Sequence, residues 1–131
     1  MIETVIEDHA PAKHFNSIRF AVAGLIHVFT TQRNFRLQSI LGLLTILLAL
    51  LFDFDRVEWI ILLLTIGLVL TAEIANTVLE TLVDLSVTRL HPKAKIAKDL
   101  AAAAVLIIAV FAAFIGAFLF WPHFWTLLCS L

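Results

Sequence analysis

Three long apolar runs constrain this chain more than anything else in it. LQSILGLLTILLALLF occupies 37–52, WIILLLTIGLVLTAEIANTVLETLVDL occupies 59–85, and AKDLAAAAVLIIAVFAAFIGAFLFW occupies 97–121. A helix needs about 20 mostly apolar residues to cross a hydrocarbon core of about 30 Å. The first run is slightly short. It reaches that length by extending back through Asn34, Phe35 and Arg36, with the Arg36 head snorkelling to the interface. The chain is 62% hydrophobic with a mean hydropathy of +1.04, well above the roughly half-apolar make-up of a soluble domain. The expected fold is all-α and integral to the membrane.

The connections are short. Residues 53–58 join the first two spans, with Asp53 or Asp55 available as an N-cap. Residues 86–96 join the second and third, broken by His91-Pro92, where Pro92 suits an early helical position. Residues 15–29 place Phe15, Ile18, Val22, Leu25, Ile26 and Phe29 at helical spacing, with Asn16, Ser17 and Arg19 on the remainder. That stretch is too short and interrupted to span, and reads as an amphipathic surface helix over about 15–32. The expected organisation is a tail at 1–14 and one membrane domain at 15–131, with spans at about 34–52, 59–85 and 97–121.

Lysine and arginine set the expected orientation. Arg19, Arg33 and Arg36 precede the first span, and Arg89, Lys93, Lys95 and Lys98 surround the second connection. The first connection has Arg56 and is net acidic. Both basic zones are therefore expected in the cytoplasm, with the N-terminus inside and the C-terminus outside. No secretory leader is apparent, so the first span is expected to act as its own insertion signal. Trp59, Trp121 and Trp125 read as anchors at the outer interface. The net charge of −1 argues against nucleic acid as a partner. The single Cys129 has no partner for a disulfide. His27, His91 and His123 lack a zinc-ligand spacing.

The second span carries an anomaly. Glu73, Asn76, Thr77, Glu80 and Asp84 recur at steps that place them on one face of a helix turning about 100° per residue. Ionisable groups in a membrane segment are costly and usually mark function. One reading is structural: carboxylates paired with Lys98 or Arg89 across the bundle. A second is an ion or proton relay, although the outer half of this span has no ionisable group to continue it. A third is phosphoryl transfer, which needs a carboxylate to take a proton, carboxylates for a metal, and cations for phosphates. Neither of the familiar Gly-rich phosphate loops is present.

The stripe Glu73-Ile74-Ala75-Asn76-Thr77-Val78-Leu79-Glu80-Thr81-Leu82-Val83-Asp84 resembles one signature of the small prokaryotic diacylglycerol kinase family, which includes the undecaprenol kinases. The run from His91 through Ala97-Lys98-Asp99 to Val105 is similar to its second signature, and Phe20 to Leu25 and Arg33 to Arg36 resemble its N-terminal region. The resemblance covers about residues 15–120. It implies a homotrimer of three membrane helices and one surface helix per subunit, with active sites between neighbouring subunits at the cytoplasmic interface of a bacterial inner membrane. It also implies transfer of the ATP γ-phosphate to a lipid alcohol with Mg²⁺. Carried over by motif position, Glu73 takes the role of general base, Asn76 that of an active-site amide, Glu80 that of a metal ligand, and Lys98 and Asp99 those of nucleotide contacts. Asp84 and His91 match further polar positions of the site.

One position departs from the pattern. Gln32 stands where the family usually has a second metal-ligand glutamate, and a neutral amide is a weaker ligand for a hard cation. Three accounts stay open: Glu80 and the phosphates suffice, the Gln is an engineered replacement, or the chain is a natural low-activity homologue. The stretch from His91 to Ala102 is closer to undecaprenol kinases than to diacylglycerol kinases. A non-enzymatic membrane scaffold remains the alternative from a different class. Gly24 permits close approach of a nucleotide or helix, or serves plain packing, and the small residues Ala101 to Ala104 permit close helix contact.

Overall fold

The computed structural model describes residues 12–86 and 91–129, with side chains from Asn16 onward. Four helices follow one another: α1 Ala12–Thr31, α2 Arg33–Leu51, α3 Arg56–Ser86 and α4 Pro92–Cys129. Among the described residues, α2, α3 and α4 are long and apolar enough to cross a membrane, and α1 is not in that group. At 1.5 Å per residue, α2 is about 28 Å long, α3 about 46 Å and α4 about 57 Å. α2 therefore matches the hydrocarbon core, whereas α3 and α4 must project beyond it. Arg89 and the rest of 87–90 lie outside the described residues.

The expected extension of the first span through Arg36 is present, and its physical basis is specific. Gln32 interrupts the helix with φ −95° and ψ 115°, which turns α1 away from α2. The Arg36 side chain then reaches back, and Nη1 donates to the carbonyls of Phe29 (3.1 Å) and Thr30 (2.8 Å). Those carbonyls have no intrahelical partner at the end of α1, so the guanidinium caps them. Phe29 meets Phe35 edge-on with ring centres 6.4 Å apart. Most of α1 is exposed, including Ile18, Phe20 and Ile26, as expected of a helix whose apolar face meets lipid.

At the opposite end, α2 turns tightly into α3. Asp53 takes the left-handed conformation at φ 51°, which aspartate tolerates better than most residues. Asp55 is the cap of α3. Its Oδ1 accepts from the Glu58 N–H (2.8 Å), and Glu58 Oε2 accepts from the Asp55 N–H (2.9 Å). This reciprocal pair is a capping box. With so short a turn the two helices must run antiparallel. Gly42 of α2 lets them approach, since a Cβ there would lie 3.0 Å from Ile66 Cγ2 of α3.

The packed core is small and lies near this turn. Ala49, Phe54, Leu62 and Phe120 are buried together, with Phe52, Trp59 and Leu119 against them. α4 joins this cluster through Phe120 and through His123, which stacks on Phe54 (4.9 Å, 23°) and hydrogen-bonds Glu58 Oε1 at 2.9 Å. Elsewhere the large apolar side chains of α2, α3 and α4 are mostly exposed, as a lipid environment allows. The third span was expected to close near Trp121, but α4 continues to Cys129 with Pro122 inside it. Proline removes one helical hydrogen bond, and a helix in a membrane tolerates that where neighbouring contacts hold the flanking residues. Here His123 and Phe124 supply those contacts, the latter against Phe52 at 4.8 Å. Replacing His123 with Ala is expected to destabilise the fold by about 1–3 kcal/mol, since it strips Glu58 of a partner in a half-buried setting. Thermal unfolding in detergent checks this, and an unchanged midpoint would show that the pair does not hold α4.

Candidate active site

The polar stripe of α3 runs from a buried to an exposed setting along the helix. Glu73 is 2% exposed, and Asn76 and Thr77 are also buried. Glu80 is half-buried and Asp84 is exposed. The order follows from helix length. Gln38 lies level with Glu73 and α2 begins five residues earlier, about 7.5 Å farther along α3, so α3 beyond about Val78 leaves the shelter of α2. Glu80 lies about 10 Å and Asp84 about 16 Å farther along the axis than Glu73.

Two amides organise the buried part. Gln38 Nε2 of α2 donates to Glu73 Oε2 at 3.3 Å. Asn76 Nδ2 donates to Glu80 Oε1 at 2.9 Å, across one turn of α3. Thr77 Oγ1 returns its proton to the Glu73 carbonyl at 2.9 Å, which keeps the hydroxyl off the carboxylates. Each amide then presents a buried oxygen, Gln38 Oε1 and Asn76 Oδ1, with no hydrogen-bond partner. A buried acceptor left unpaired costs about 1–3 kcal/mol. Each is an acceptor that an ordered water or a bound group can satisfy.

The remaining candidate residues gather at the start of α4. Lys98 Nζ contacts Asp84 Oδ1 at 2.5 Å, joining α4 to the exposed end of α3. Asp99 pairs with Lys95 at 2.7 Å along its own helix. His91 caps α4: its Nδ1 accepts from the Lys93 N–H at 3.2 Å, and its carbonyl accepts from Ala94 and Lys95. Gln32 sits at the break between α1 and α2, where its side chain makes no capping bond. Thus Glu73 is joined to Gln38, Asn76 to Glu80 and Asp84 to Lys98, while within the protomer Lys98 ends on Asp84 rather than on Glu73 or Glu80. The structural pairing considered for Lys98 is therefore present at Asp84 alone. Among the described residues, no three His, Cys, Asp or Glu side chains converge as a metal cage.

Gln38 is the residue that sequence reasoning missed. Its signal was present, as an amide inside an otherwise apolar span, but its partner is set by the register of the α2–α3 hairpin. His123 and Glu58 were missed for the same reason. Gly24 lines a groove of about 600 Å³ between α1 and α3, together with His27, Val28, Thr77 and Thr81. A Cβ at Gly24 would meet no atom within 4 Å, so packing inside the protomer does not require the glycine.

A buried carboxylate in a three-span bundle, with an acidic and basic fringe beyond it, offers the groups that phosphoryl transfer at a membrane surface requires. The prokaryotic diacylglycerol kinase family model matches residues 19–120, and the chain belongs to that family. It is 44% identical over 107 residues to a diacylglycerol kinase of Synechocystis sp., covering 81% of this chain and 61% of that protein. It is 36% identical over 110 residues to the undecaprenol kinase of Bacillus subtilis, covering 84% of this chain and 89% of the relative. Identity to the diacylglycerol kinase of Escherichia coli K12 is 32% over 101 residues, covering 77% and 83%.

Proposed function

We propose that the protein transfers the γ-phosphoryl group of Mg·ATP to the hydroxyl of a membrane lipid alcohol, undecaprenol ahead of diacylglycerol, at the cytoplasmic face of a bacterial inner membrane. The observation that carries this reading is Glu73, a carboxylate buried to 2% exposure and held by the Gln38 amide where α2 meets α3. Glu73 takes the proton of the lipid hydroxyl as its oxygen attacks the γ-phosphorus in line. The bond from the γ-phosphorus to the β,γ-bridging oxygen breaks, and ADP leaves. The lipid enters sideways from the bilayer, so its hydroxyl meets Glu73 at the inner edge of the hydrocarbon core.

The residues present fit a magnesium ion held largely by nucleotide. Mg²⁺ typically binds through one or two carboxylates plus substrate phosphates, not in an all-protein cage. Glu80, oriented by Asn76, is the carboxylate that would hold it, with the Gln32 amide as a weaker second donor. When bound, the ion supplies positive charge against the phosphates. Lys98 and Asp99 engage the nucleotide at the level of Asp84, and His91 orders the start of α4 behind them. Names among the relatives support either acceptor. The run from His91 to Ala102 favours the polyprenol.

A homotrimer completes the site in this reading. α4 supports it: few of its side chains are buried within the protomer, and Ala102, Ala103 and Ala104 are exposed small residues suited to close contact with a second copy. Arg33, Arg36, Lys93, Lys95 and Lys98 share the end of the bundle where α2 and α4 begin, which supports a cytoplasmic location for that end. Cys129, exposed at the end of α4, then faces outward. A membrane-impermeant maleimide is expected to label it in intact cells, and labelling only after lysis would reverse the orientation.

The function itself is tested with purified protein in detergent, labelled ATP, and undecaprenol and diacylglycerol side by side. Mg-dependent transfer of label to the polyprenol is the expected result. Faster transfer to diacylglycerol corrects the acceptor. No transfer to either lipid leaves a scaffold as the better description.

A further inference from the structure

α1 and α2 meet at a corner made by one residue. Gln32 leaves the helical conformation, while its N–H still closes the last turn of α1 on the Val28 carbonyl at 2.8 Å. Its own carbonyl accepts the Arg36 N–H at 3.4 Å and so opens α2. One residue carries two soft dihedrals, so the backbone alone leaves the angle between the helices free to vary. Packing along α1 is sparse. Ile18, Phe20 and Ile26 are exposed, and a groove of about 600 Å³ separates α1 from Thr77 and Thr81 of α3. The buried Val28 and the Phe29 ring against Phe35 both belong to the last turn. What spans the corner there is the Arg36 guanidinium, whose Nη1 donates to the Phe29 carbonyl at 3.1 Å and the Thr30 carbonyl at 2.8 Å. Such bonds weaken beyond about 3.2 Å, so displacing the end of α1 by about an ångström breaks the clamp.

The corner matters because of its height in the bundle. Gln38 of α2 bonds Glu73 of α3, which sets the two helices level at that point. Gln32 precedes Gln38 by six residues, about 9 Å along α2, and Glu80 follows Glu73 by seven, about 10 Å along α3 in the same direction. Antiparallel packing thus brings Gln32 and Glu80 to one height. We infer that Arg36 is a positioning residue for the metal-binding part of the site. By clamping the end of α1 it fixes the angle at which α1 leaves α2, and with it the place of Gln32 at the level of Glu80. The inference rests on the reading of Glu80 and Gln32 as magnesium donors and adds the residue that keeps them together. Glu73 is supported from within α2 by Gln38, so the clamp acts on metal and nucleotide and not on the proton acceptor.

Arg36→Ala should raise the Mg²⁺ concentration for half-maximal rate about tenfold, the lower end of the cost of losing a group that orients a metal ligand. The kcat at saturating Mg·ATP should stay nearly unchanged. Arg36→Lys keeps a donor nitrogen without the planar fork, and should recover part of the loss. A double-mutant cycle then shows whether Arg36 acts through Gln32. The gain expected from Gln32→Glu should disappear in Arg36→Ala protein, because the new carboxylate is no longer held level with Glu80. Additive effects of the two substitutions on the magnesium titration overturn the inference.

A distance measurement tests the clamp without any need for activity. Ile18 of α1 and Leu85 of α3 are both exposed, and spin labels on Ile18→Cys and Leu85→Cys report the separation of the two helices. The labels are placed in Cys129→Ser protein diluted with unlabelled chains. The distance should lengthen and its distribution broaden in Arg36→Ala, and an unchanged distribution overturns the inference whatever the kinase assay gives. If Arg36→Ala is not recovered folded, Arg36→Gln is measured in the same two ways, with the same outcomes deciding. Failure of the underlying reading looks different: the unmodified protein transfers no phosphate, while the distance in Arg36→Ala still shifts and the clamp stands.

Discussion

Glu73→Gln is expected to lower the phosphotransfer rate by about 10²–10⁴-fold, the usual worth of a positioned general base. The substitution keeps the shape of the side chain. Its amide oxygen can still accept from Gln38 Nε2, which now meets Glu73 Oε2 at 3.3 Å. The second terminal atom becomes an NH₂ group, which cannot take a proton from the lipid hydroxyl. The change keeps the side-chain volume and the Gln38 contact, so the folded state should hold its stability. The expected pattern is a collapsed kcat, an unchanged KM for ATP and an unchanged melting temperature. A variant that keeps its rate removes Glu73 from the chemistry.

Glu80 gives the second large effect, read in the magnesium requirement. Glu80→Gln preserves an oxygen for the Asn76 amide, now 2.9 Å from Oε1, and removes the charge. The Mg²⁺ concentration for half-maximal rate should rise about 100-fold. That is the upper end of the 10–100-fold cost of losing a supporting group around a metal, and here the ligand itself is altered. Gln32→Glu should move the same quantity in the opposite direction, by about tenfold, since a carboxylate is the better ligand for a hard cation. A negative charge there also sits favourably at the start of α2. If neither variant shifts the magnesium titration, the metal lies elsewhere.

Much of the architecture could be read from residue order. The apolar runs located α2, α3 and α4, because a segment in lipid must satisfy its backbone internally and so becomes a helix. The break at His91-Pro92 set the start of α4, as Pro92 can begin a helix but lacks the N–H to sit freely inside one. Asp55 was one of two candidate caps, and the turn decided between them by placing Asp53 in a left-handed conformation. The end of the third span differs: the apolar run closes near Trp121, yet α4 continues through Pro122, held by the aromatic contacts of Phe120, His123 and Phe124.

The candidate site divides along the same line. Helical periodicity alone put Glu73, Asn76, Thr77, Glu80 and Asp84 on one face, since their relation is local to one helix. It could not say that Glu73 is sealed while Asp84 is open, because that depends on how far α2 runs alongside α3. Nor could it pair Gln38 with Glu73, His123 with Glu58 or Lys98 with Asp84, because each pair joins two helices whose register is set by turns and by packing. The chain order thus determined which helices form and which face of α3 is polar. The tertiary structure decided which of those polar groups are buried and which oxygens are left wanting a partner. Burial and pairing arise where separate helices meet, and the chemistry proposed for this protein begins at that meeting, between Gln38 and Glu73.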